Sequence, residues 1–155
     1  MPSTPKRVAI LMGSPRDMDK MQAAKDTLES FGVETDMRVL SAHRNPTEVT
    51  ALATSARDDG YVAFICGAGM AAHLAGVVAA HTTLPVVGVP LSGGISDGLD
   101  SLLSTVQMPK GIPVATVAVN GSLNAALLVV QMLAIDDADL AKKVADDRAE
   151  RAAAN

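Results

Sequence analysis

The chain has 155 residues, a formal net charge of −4 and a mean hydropathy of +0.25. This length predicts one domain over residues 1–155, and the absence of long Lys or Arg runs argues against nucleic acid as a partner. Charged residues make up only 19% of the chain, which is low for a small monomer and predicts a homo-oligomer with buried interfaces.

Strand-like apolar runs alternate with helix-like patterns along the chain. The predicted strands cover residues 8–12, 33–40, 61–66, 85–89 and 114–119. The predicted helices cover residues 17–31, 46–59, 71–81, 97–106, 122–134 and 136–153, with Asp97 as the N-cap of the fourth. Single helices between strands predict a parallel sheet with right-handed crossovers.

The second strand is polar and alternating, which places it at a sheet edge and favours the strand order 2-1-3-4-5. The predicted fold class is therefore α/β, a flavodoxin-like three-layer α/β/α sandwich with a five-stranded parallel sheet. Its core covers residues 7–134, and an extra C-terminal helix covers residues 136–153. That helix packs on its own subunit or on a neighbour, or else forms a solvated tail.

The single cysteine, Cys66, excludes an internal disulfide, and its apolar neighbours indicate a buried small side chain rather than a nucleophile. The first ten residues lack an apolar stretch long enough for a signal peptide. No apolar run reaches the roughly 18–20 residues that a membrane span needs. These features predict a cytoplasmic protein with no membrane partner.

Each of the first three predicted strands is followed by a segment that could contribute to a binding site. The carboxyl ends of parallel strands lie at the same edge of the sheet, and ligands bind at that edge. The middle segment, 41–46, places the hydroxyl of Ser41, the imidazole of His43 and the guanidinium of Arg44 on one turn. These groups can hold a phosphate and move a proton. Together with the other two segments, they predict a functional His43.

The first segment, residues 13–17, combines a tight turn with the start of a helix, where backbone N–H groups favour an anion. Ser14 and Arg16 add donors, and Asp17 either caps the helix or accepts hydrogen bonds from a ribose diol. Taken alone, this segment is explained by a turn with an N-cap.

The third segment, residues 67–72, matches the dinucleotide fingerprint G-x-G-x-x-G/A. No Asp or Glu lies between Asp59 and Asp97 to hold a ribose, so we do not predict NAD binding. Its small residues instead let a planar ligand lie against backbone amides. His73 is either a ligand contact or a structural group, and His81 is a cation at a helix C-terminus.

Other cofactor and nucleophile signatures are missing from the sequence. There is no H-E-x-x-H motif, cysteine pair or His-carboxylate cluster with metal spacing, no Walker loop and no G-x-S-x-G elbow. We therefore expect no metal, no ATP, no other cofactor and no Ser-His-Asp acyl chemistry.

Several ordered motifs within residues 7–134 resemble the PurE family of purine biosynthesis. They are Gly13-Ser14-x-x-Asp17, Ser41-Ala42-His43-Arg44-x-Pro46, Gly67-Ala68-Gly69-x-Ala71-Ala72-His73-Leu74, Leu84-Pro85-Val86-x-Gly88-Val89-Pro90, Asp100-Ser101-Leu102-Leu103-Ser104, Val106-Gln107-Met108-Pro109-x-Gly111-Ile112-Pro113-Val114 and Asn124-Ala125-Ala126-Leu127-Leu128. The resemblance implies a flavodoxin-like octamer that converts N5-carboxyaminoimidazole ribonucleotide (N5-CAIR) into 4-carboxyaminoimidazole ribonucleotide (CAIR) without a cofactor. It also implies decarboxylation to aminoimidazole ribonucleotide (AIR), followed by recarboxylation with trapped CO2.

By this resemblance His43 is the catalytic proton shuttle. The implied substrate contacts are Ser14, Arg16, Asp17, Ser41, Arg44, Gly67, Ala68, Gly69, Met70, Ala71, His73 and Leu74. Ser14, Ser41 and Arg44 bind phosphate or position the ligand, Asp17 holds the ribose, and residues 67–73 surround the imidazole and carboxylate. The chain departs from the family pattern at Arg16 (usually Ser), Met18 (usually Trp), Met70 (usually Gly), Ala75 (usually Pro) and in segment 90–98.

Three alternatives remain open from the sequence. The first is direct carboxylation of AIR with CO2, the reaction of the second class of this fold, although residues 71–74 match the mutase class. The second is a carboxylase-like domain that acts on another heteroaromatic nucleotide. The third is a non-catalytic nucleotide-binding module, which predicts ligand binding that is insensitive to the proton on His43.

Overall fold

The computed structural model describes residues 5–155. Residues 1–4, which belong to the N-terminal segment where we expect no signal peptide, lie outside the described residues. Its sheet contains β1 (Arg7–Met12), β2 (Glu34–Val39), β3 (Tyr61–Gly69), β4 (Val86–Leu91) and β5 (Ala115–Thr116). All the pairings are parallel and the strand order is β2-β1-β3-β4-β5. The predicted fold class and strand order are confirmed.

Within residues 5–155, six α-helices cross between the strands or follow them. They are α1 (Met18–Ser30), α2 (Pro46–Ser55), α3 (Leu74–His81), α4 (Leu99–Val106), α5 (Ser122–Leu133) and α6 (Ala138–Ala153). Short 3-10 turns at Pro15–Asp17, Ile95–Asp97 and Ala134–Asp136 precede α1, α4 and α6.

The core consists of two apolar layers, one on each face of the sheet. Side chains alternate between the faces of a strand, so Ile10 of β1 packs with Leu28 of α1 and Val129 of α5. Its neighbour Leu11 packs on the other face with Val49 of α2 and Val78 of α3. This arrangement is the three-layer sandwich, and it leaves the carboxyl ends of the central strands open to a ligand.

Several predicted boundaries were wrong. The second helix ends at Ser55 rather than 59, and turn residues lead from there to Gly60, whose φ is +84°. The third strand continues to Gly69 because its last three residues pair with Val89, Pro90 and Leu91 of β4. The third helix consequently begins at residue 74 rather than 71.

The prediction that Asp97 is the N-cap of α4 was wrong. The φ of Asp97 is +54°, and its carboxylate accepts a hydrogen bond from the Gly93 N–H at 3.1 Å. Gly98 stands at the cap position instead, with a φ of +128° that favours glycine. The fifth strand is also shorter than predicted, because the ladder with β4 covers only two residues.

The C-terminal helix begins at residue 138 rather than 136, because a 3-10 turn occupies residues 134–136. Asp137 caps it by accepting the Leu140 N–H at 3.0 Å and forms an ion pair with Lys6 at 3.0 Å. Leu140 is buried in the core layer of α1 and α5. The first turn of α6 therefore packs on its own chain. None of the helices within residues 5–155 is long and apolar enough to cross a membrane.

Candidate active site

A pocket of about 500 Å³ lies at the carboxyl ends of the central strands. All three sequence segments reach it, together with a fourth segment that follows β4. The lining residues are Gly13, Ser14, Arg16, Asp17, Lys20, Ser41, Ala42, His43, Arg44, Ala68, Gly69, Met70, Ala71, His73, Leu74, Ser92 and Gly93. The structure thus brings together every predicted site residue except Gly67.

The turn after β1 presents its polar groups through a capped 3-10 turn. The Ser14 hydroxyl accepts the Arg16 N–H at 3.3 Å, and the Asp17 N–H donates to the Ser14 carbonyl at 3.0 Å. Ser14 therefore shapes the turn with both its side chain and its backbone. As a result, Arg16 and Asp17 enter the pocket at the start of α1.

The turn after β2 is built around the buried hydroxyl of Ser41. This oxygen accepts the backbone N–H groups of His43 at 3.3 Å and Arg44 at 3.1 Å. The Asn45 side chain accepts the Ser41 N–H at 3.2 Å, and the Arg44 guanidinium donates to the Gly13 carbonyl. Because Ser41 uses its oxygen to hold the turn, only its hydroxyl hydrogen remains for a ligand.

The two pocket histidines contact each other. His43 Nε2 lies 2.7 Å from His73 Nδ1, and the rings meet nearly edge to face at 82°. At this distance one proton lies between the two nitrogens, so one ring donates and the other accepts. The tautomer of His43 is therefore linked to that of His73.

The segment after β3 lines the pocket and contains a residue with a strained backbone. Met70 has a φ of +54° and is 67% exposed. The positive φ favours glycine, and this accounts for the glycine usual at this position in the family that the sequence resembles. The Ser104 hydroxyl of α4 accepts the Ala72 N–H at 2.9 Å and lies 3.2 Å from the Met70 carbonyl. These contacts hold the loop in place.

Gly67 does not line the pocket. A Cβ atom at this position would lie 2.4 Å from the sulfur of Met21, a fully buried side chain of α1. The Gly67 carbonyl also accepts the Gly13 N–H at 3.2 Å. Its small size lets α1 pack closely against β3, and its carbonyl joins β3 to the turn after β1.

Sequence reasoning missed Lys20. The ammonium of this α1 residue lines the pocket and donates to the Ser92 carbonyl at 2.9 Å. A signal was present, because Lys20 lies three residues after Asp17 on the predicted helix 17–31, and i, i+3 positions share a helix face. Ser92 is held in turn by Asn120, whose amide accepts the Ser92 N–H at 3.0 Å and donates to its hydroxyl at 2.8 Å.

The pocket is rich in positive charge. Arg16, Lys20 and Arg44 line it with one carboxylate, Asp17. Partial burial raises the pKa of Asp17 above its usual range, although the three cations oppose that shift. No group of three or more His, Cys, Asp or Glu side chains within residues 5–155 is arranged to hold a metal ion.

Two further features lie away from this pocket. Cys66 is buried in β3, where burial raises the pKa of its thiol, as fits a packing role. A larger cavity of about 920 Å³ lies near the amino ends of β4 and β5. Its ionisable lining groups are Arg57, Asp58 and His81, and the two histidines of the first pocket are not among its lining.

Comparison with known proteins gives this geometry its context. Residues 7–154 match the AIR carboxylase family. The chain belongs to the AIR carboxylase family. The resemblance found in the sequence motifs is thereby confirmed.

Other proteins of the AIR carboxylase type carry two different names. A phosphoribosylaminoimidazole carboxylase of Saccharomyces cerevisiae is 52% identical over 88% of this chain, which covers 24% of that relative. An N5-carboxyaminoimidazole ribonucleotide mutase of Saccharolobus solfataricus is 49% identical over 89% of this chain and 87% of the relative. The chain thus spans about a quarter of the length of the carboxylases that it matches in the plant Vigna aconitifolia and in yeast.

A solved structure supports the assignment to the AIR carboxylase family. The crystal structure of Treponema denticola PurE superposes with a TM-score of 0.85 at 28% identity, covering 95% of this chain and 92% of that one. The α/β sandwich and its strand order are therefore those of a PurE structure.

We expect Asp17→Asn to raise the thermal unfolding midpoint near pH 7 by a few degrees. The raised pKa of Asp17 means that folding favours the protonated carboxyl, so stability is lost as the pH rises through the folded-state pKa. Asparagine removes that loss. The gain should vanish at acidic pH, where the wild-type carboxyl is protonated in both states. Calorimetry at both pH values, with exposed Asp19→Asn as control, checks this; a lower midpoint near pH 7 contradicts it.

Proposed function

We propose that this protein is an N5-CAIR mutase, which converts N5-CAIR into CAIR in purine biosynthesis. The observation that carries the proposal is the contact between His43 and His73 inside a cation-lined pocket. An imidazole that exchanges a proton with a neighbour is suited to give a proton in one step and to take one back in the next. Relatives about half identical to this chain bear the mutase name.

The charges of the pocket suit this substrate. N5-CAIR carries a phosphate and a carbamate carboxylate, and the pocket offers the guanidinium groups of Arg16 and Arg44 to contact them. Lys20, whose ammonium is bonded to the Ser92 carbonyl, adds positive charge to the pocket. Arg44 suits a phosphate because guanidinium groups bind its oxygens through parallel hydrogen bonds. Asp17, as the single carboxylate of the pocket, suits the hydroxyls of the ribose. The ring then lies against the small residues at the end of β3.

The proposed chemistry moves one proton out and one proton back. In the first step the bond between the carbamate carbon and the exocyclic nitrogen breaks, its electron pair stays on nitrogen, and His43 supplies the proton. AIR and CO2 remain together in the pocket. In the second step the ring carbon attacks CO2, a carbon–carbon bond forms, and the ring proton passes to His43. The protonated imidazole is restored, so no external acid, oxidant or reductant is consumed.

Confinement supplies much of the rate. CO2 that stays beside the ring reacts at a high effective concentration, and this avoids the cost of a bimolecular encounter. The segments that carry Met70 and Ser92 contribute to the pocket walls. His43 is then the catalytic residue, and His73 is a positioning residue that acts through it.

Replacement of His73 tests this division of roles. We expect His73→Ala to lower kcat at least tenfold with little change in KM, because the partner of His43 Nε2 is lost. His73→Asn should retain most of the activity, because the Asn amide can reach the position of Nδ1. Steady-state kinetics and the pH dependence of kcat measure both variants. Equal loss in the two variants, or none in His73→Ala, contradicts this role.

A side-by-side turnover assay tests the function itself. Purified protein receives freshly prepared N5-CAIR, or AIR with bicarbonate at physiological concentration, and CAIR formation is followed by absorbance. Rapid conversion of N5-CAIR with negligible use of AIR is the expected result. Preference for AIR with CO2 would instead establish the carboxylase reaction that the plant and yeast relatives are named for. Activity with neither substrate would favour another nucleotide or a binding module.

We also propose that the protein works as a homo-octamer in the cytoplasm. Support for self-association comes from an apolar stripe on α4, where Leu99, Leu103 and Val106 are exposed beside Ile95. The number of eight subunits is what the resemblance to the PurE family implies. Such a stripe is typical of a surface that a second subunit covers. Sedimentation equilibrium should give eight times the 15.9 kDa mass of the chain, and Leu103→Glu should shift the distribution to smaller species. A wild-type monomer would contradict the octamer.

A further inference from the structure

Lys20 is fixed at both of its ends. Its ammonium donates to the Ser92 carbonyl at 2.9 Å, and its own backbone carbonyl accepts the hydroxyl of Ser122 at 2.7 Å. Ser122 is buried at the start of α5. The side chain of Lys20 therefore extends from the core of the molecule to the pocket and reaches a loop 72 residues away in the sequence.

The segment that Lys20 reaches, residues 92–98, has an unfavourable backbone. Gly93, Ser96, Asp97 and Gly98 all have positive φ angles, and Ser96 and Asp97 carry side chains that disfavour this conformation. Such strain persists only where surrounding contacts impose it. Two backbone N–H groups of the segment donate hydrogen bonds to carboxylates. The Gly93 N–H donates to Asp97 and the Ile95 N–H donates to Asp100, both at 3.1 Å.

The end of this segment nearest the pocket depends on Lys20 and Asn120. Asn120 contacts the N–H and the hydroxyl of Ser92, and its own φ is +61°. Among the side chains of the described residues, only that of Lys20 donates a hydrogen bond to the Ser92 carbonyl. Ser92 and Gly93 line the same pocket as Arg44 and the two histidines, so their placement shapes part of its wall.

We propose that Lys20 is a positioning residue that holds segment 92–98 against the substrate pocket. This inference rests on the proposed mutase function, because the wall that Lys20 fixes belongs to the pocket proposed for N5-CAIR. A wall that is in place before the substrate arrives lowers the ordering cost of binding. Lys20 therefore acts on substrate affinity, while His43 performs the proton transfers.

The test compares Lys20→Met with Lys20→Arg. Methionine keeps the length of the side chain and removes its donor, whereas arginine keeps both charge and donor. Lys25→Met is the matched control, since Lys25 lies on the same helix and pairs with Glu29 outside the pocket. Hydrogen exchange of segment 92–98 is measured by mass spectrometry in the free protein, and kcat and KM are measured with N5-CAIR.

We expect Lys20→Met to speed exchange of the segment and to raise KM, each by about tenfold, as fits the loss of one charged hydrogen bond. kcat should change by less than about twofold, because the proton shuttle is untouched. Lys20→Arg should restore both properties. Unchanged hydrogen exchange in Lys20→Met overturns the proposal. A raised KM without faster exchange also overturns it, because that result would mean that Lys20 contacts the substrate directly. Hydrogen exchange can be measured even if the protein does not turn over N5-CAIR. A failure of the proposed mutase function can therefore be distinguished from a failure of the proposed role of Lys20.

Discussion

Replacing His43 with Asn is expected to lower kcat by about 10³-fold, within the range that one acid-base group contributes. Asparagine has no group that titrates near neutral pH, so the exocyclic nitrogen receives no proton and the ring proton has no acceptor. The fold should survive, because the turn is held by the Ser41 hydroxyl and the backbone of residue 43. The imidazole itself is exposed and contacts His73.

The control for this variant is His81→Asn. His81 is also exposed, but it lies at the end of α3 and outside the substrate pocket. It should retain wild-type turnover. Calorimetric titration with CAIR should show binding by His43→Asn within a few-fold of the wild type, and thermal unfolding should be little changed. Full turnover by His43→Asn would rule out His43 as the proton shuttle.

Replacing Arg44 with Met is expected to raise KM for N5-CAIR by about 100-fold, equivalent to about 2.7 kcal/mol, which lies within the range for a hydrogen-bonded charge. Arg44 combines two roles. Its guanidinium lines the pocket, and it donates to the Gly13 carbonyl, which joins the turn after β2 to the turn after β1. Its loss would remove the phosphate ligand that we propose and would loosen that junction.

Arg57→Met is the matched control, because Arg57 is an exposed arginine with one side-chain hydrogen bond, to Thr83 at 2.9 Å. It lines the other cavity and should leave KM unchanged. Arg44→Lys should show an intermediate KM, since lysine keeps the charge but loses the paired donors. A wild-type KM in Arg44→Met would remove this residue from the phosphate site.

The fold was largely predictable because its signals are local. The uninterrupted apolar run of β1 predicts a buried parallel strand, and the polar alternation of β2 predicts an edge; both predictions are confirmed by the sheet order. Boundaries were wrong where tertiary pairing decided them. The small residues Gly67 to Gly69 have no strand periodicity, yet they extend β3 because β4 lies beside them.

The site was predictable to the level of its segments. Residues 13–17, 41–46 and 67–74 reach one pocket because each follows a parallel strand. Lys20 was missed because a lysine on a helix usually belongs to a solvated face, and its partner Ser92 is remote in sequence. The contact between His43 and His73 joins two loops 30 residues apart and depends on the geometry of both turns.

If the pocket retains CO2 between the two chemical steps, the carboxylate should move without mixing with solvent. The direct measurement uses N5-CAIR labelled with carbon-13 in its carbamate carboxylate, in buffer with unlabelled bicarbonate and carbonic anhydrase. Mass spectrometry of the CAIR formed reports how much label remains. Retention of most of the label is the predicted result. Complete replacement of the label by unlabelled carbon would show that CO2 escapes before it reacts, and would contradict the mutase function proposed for this pocket.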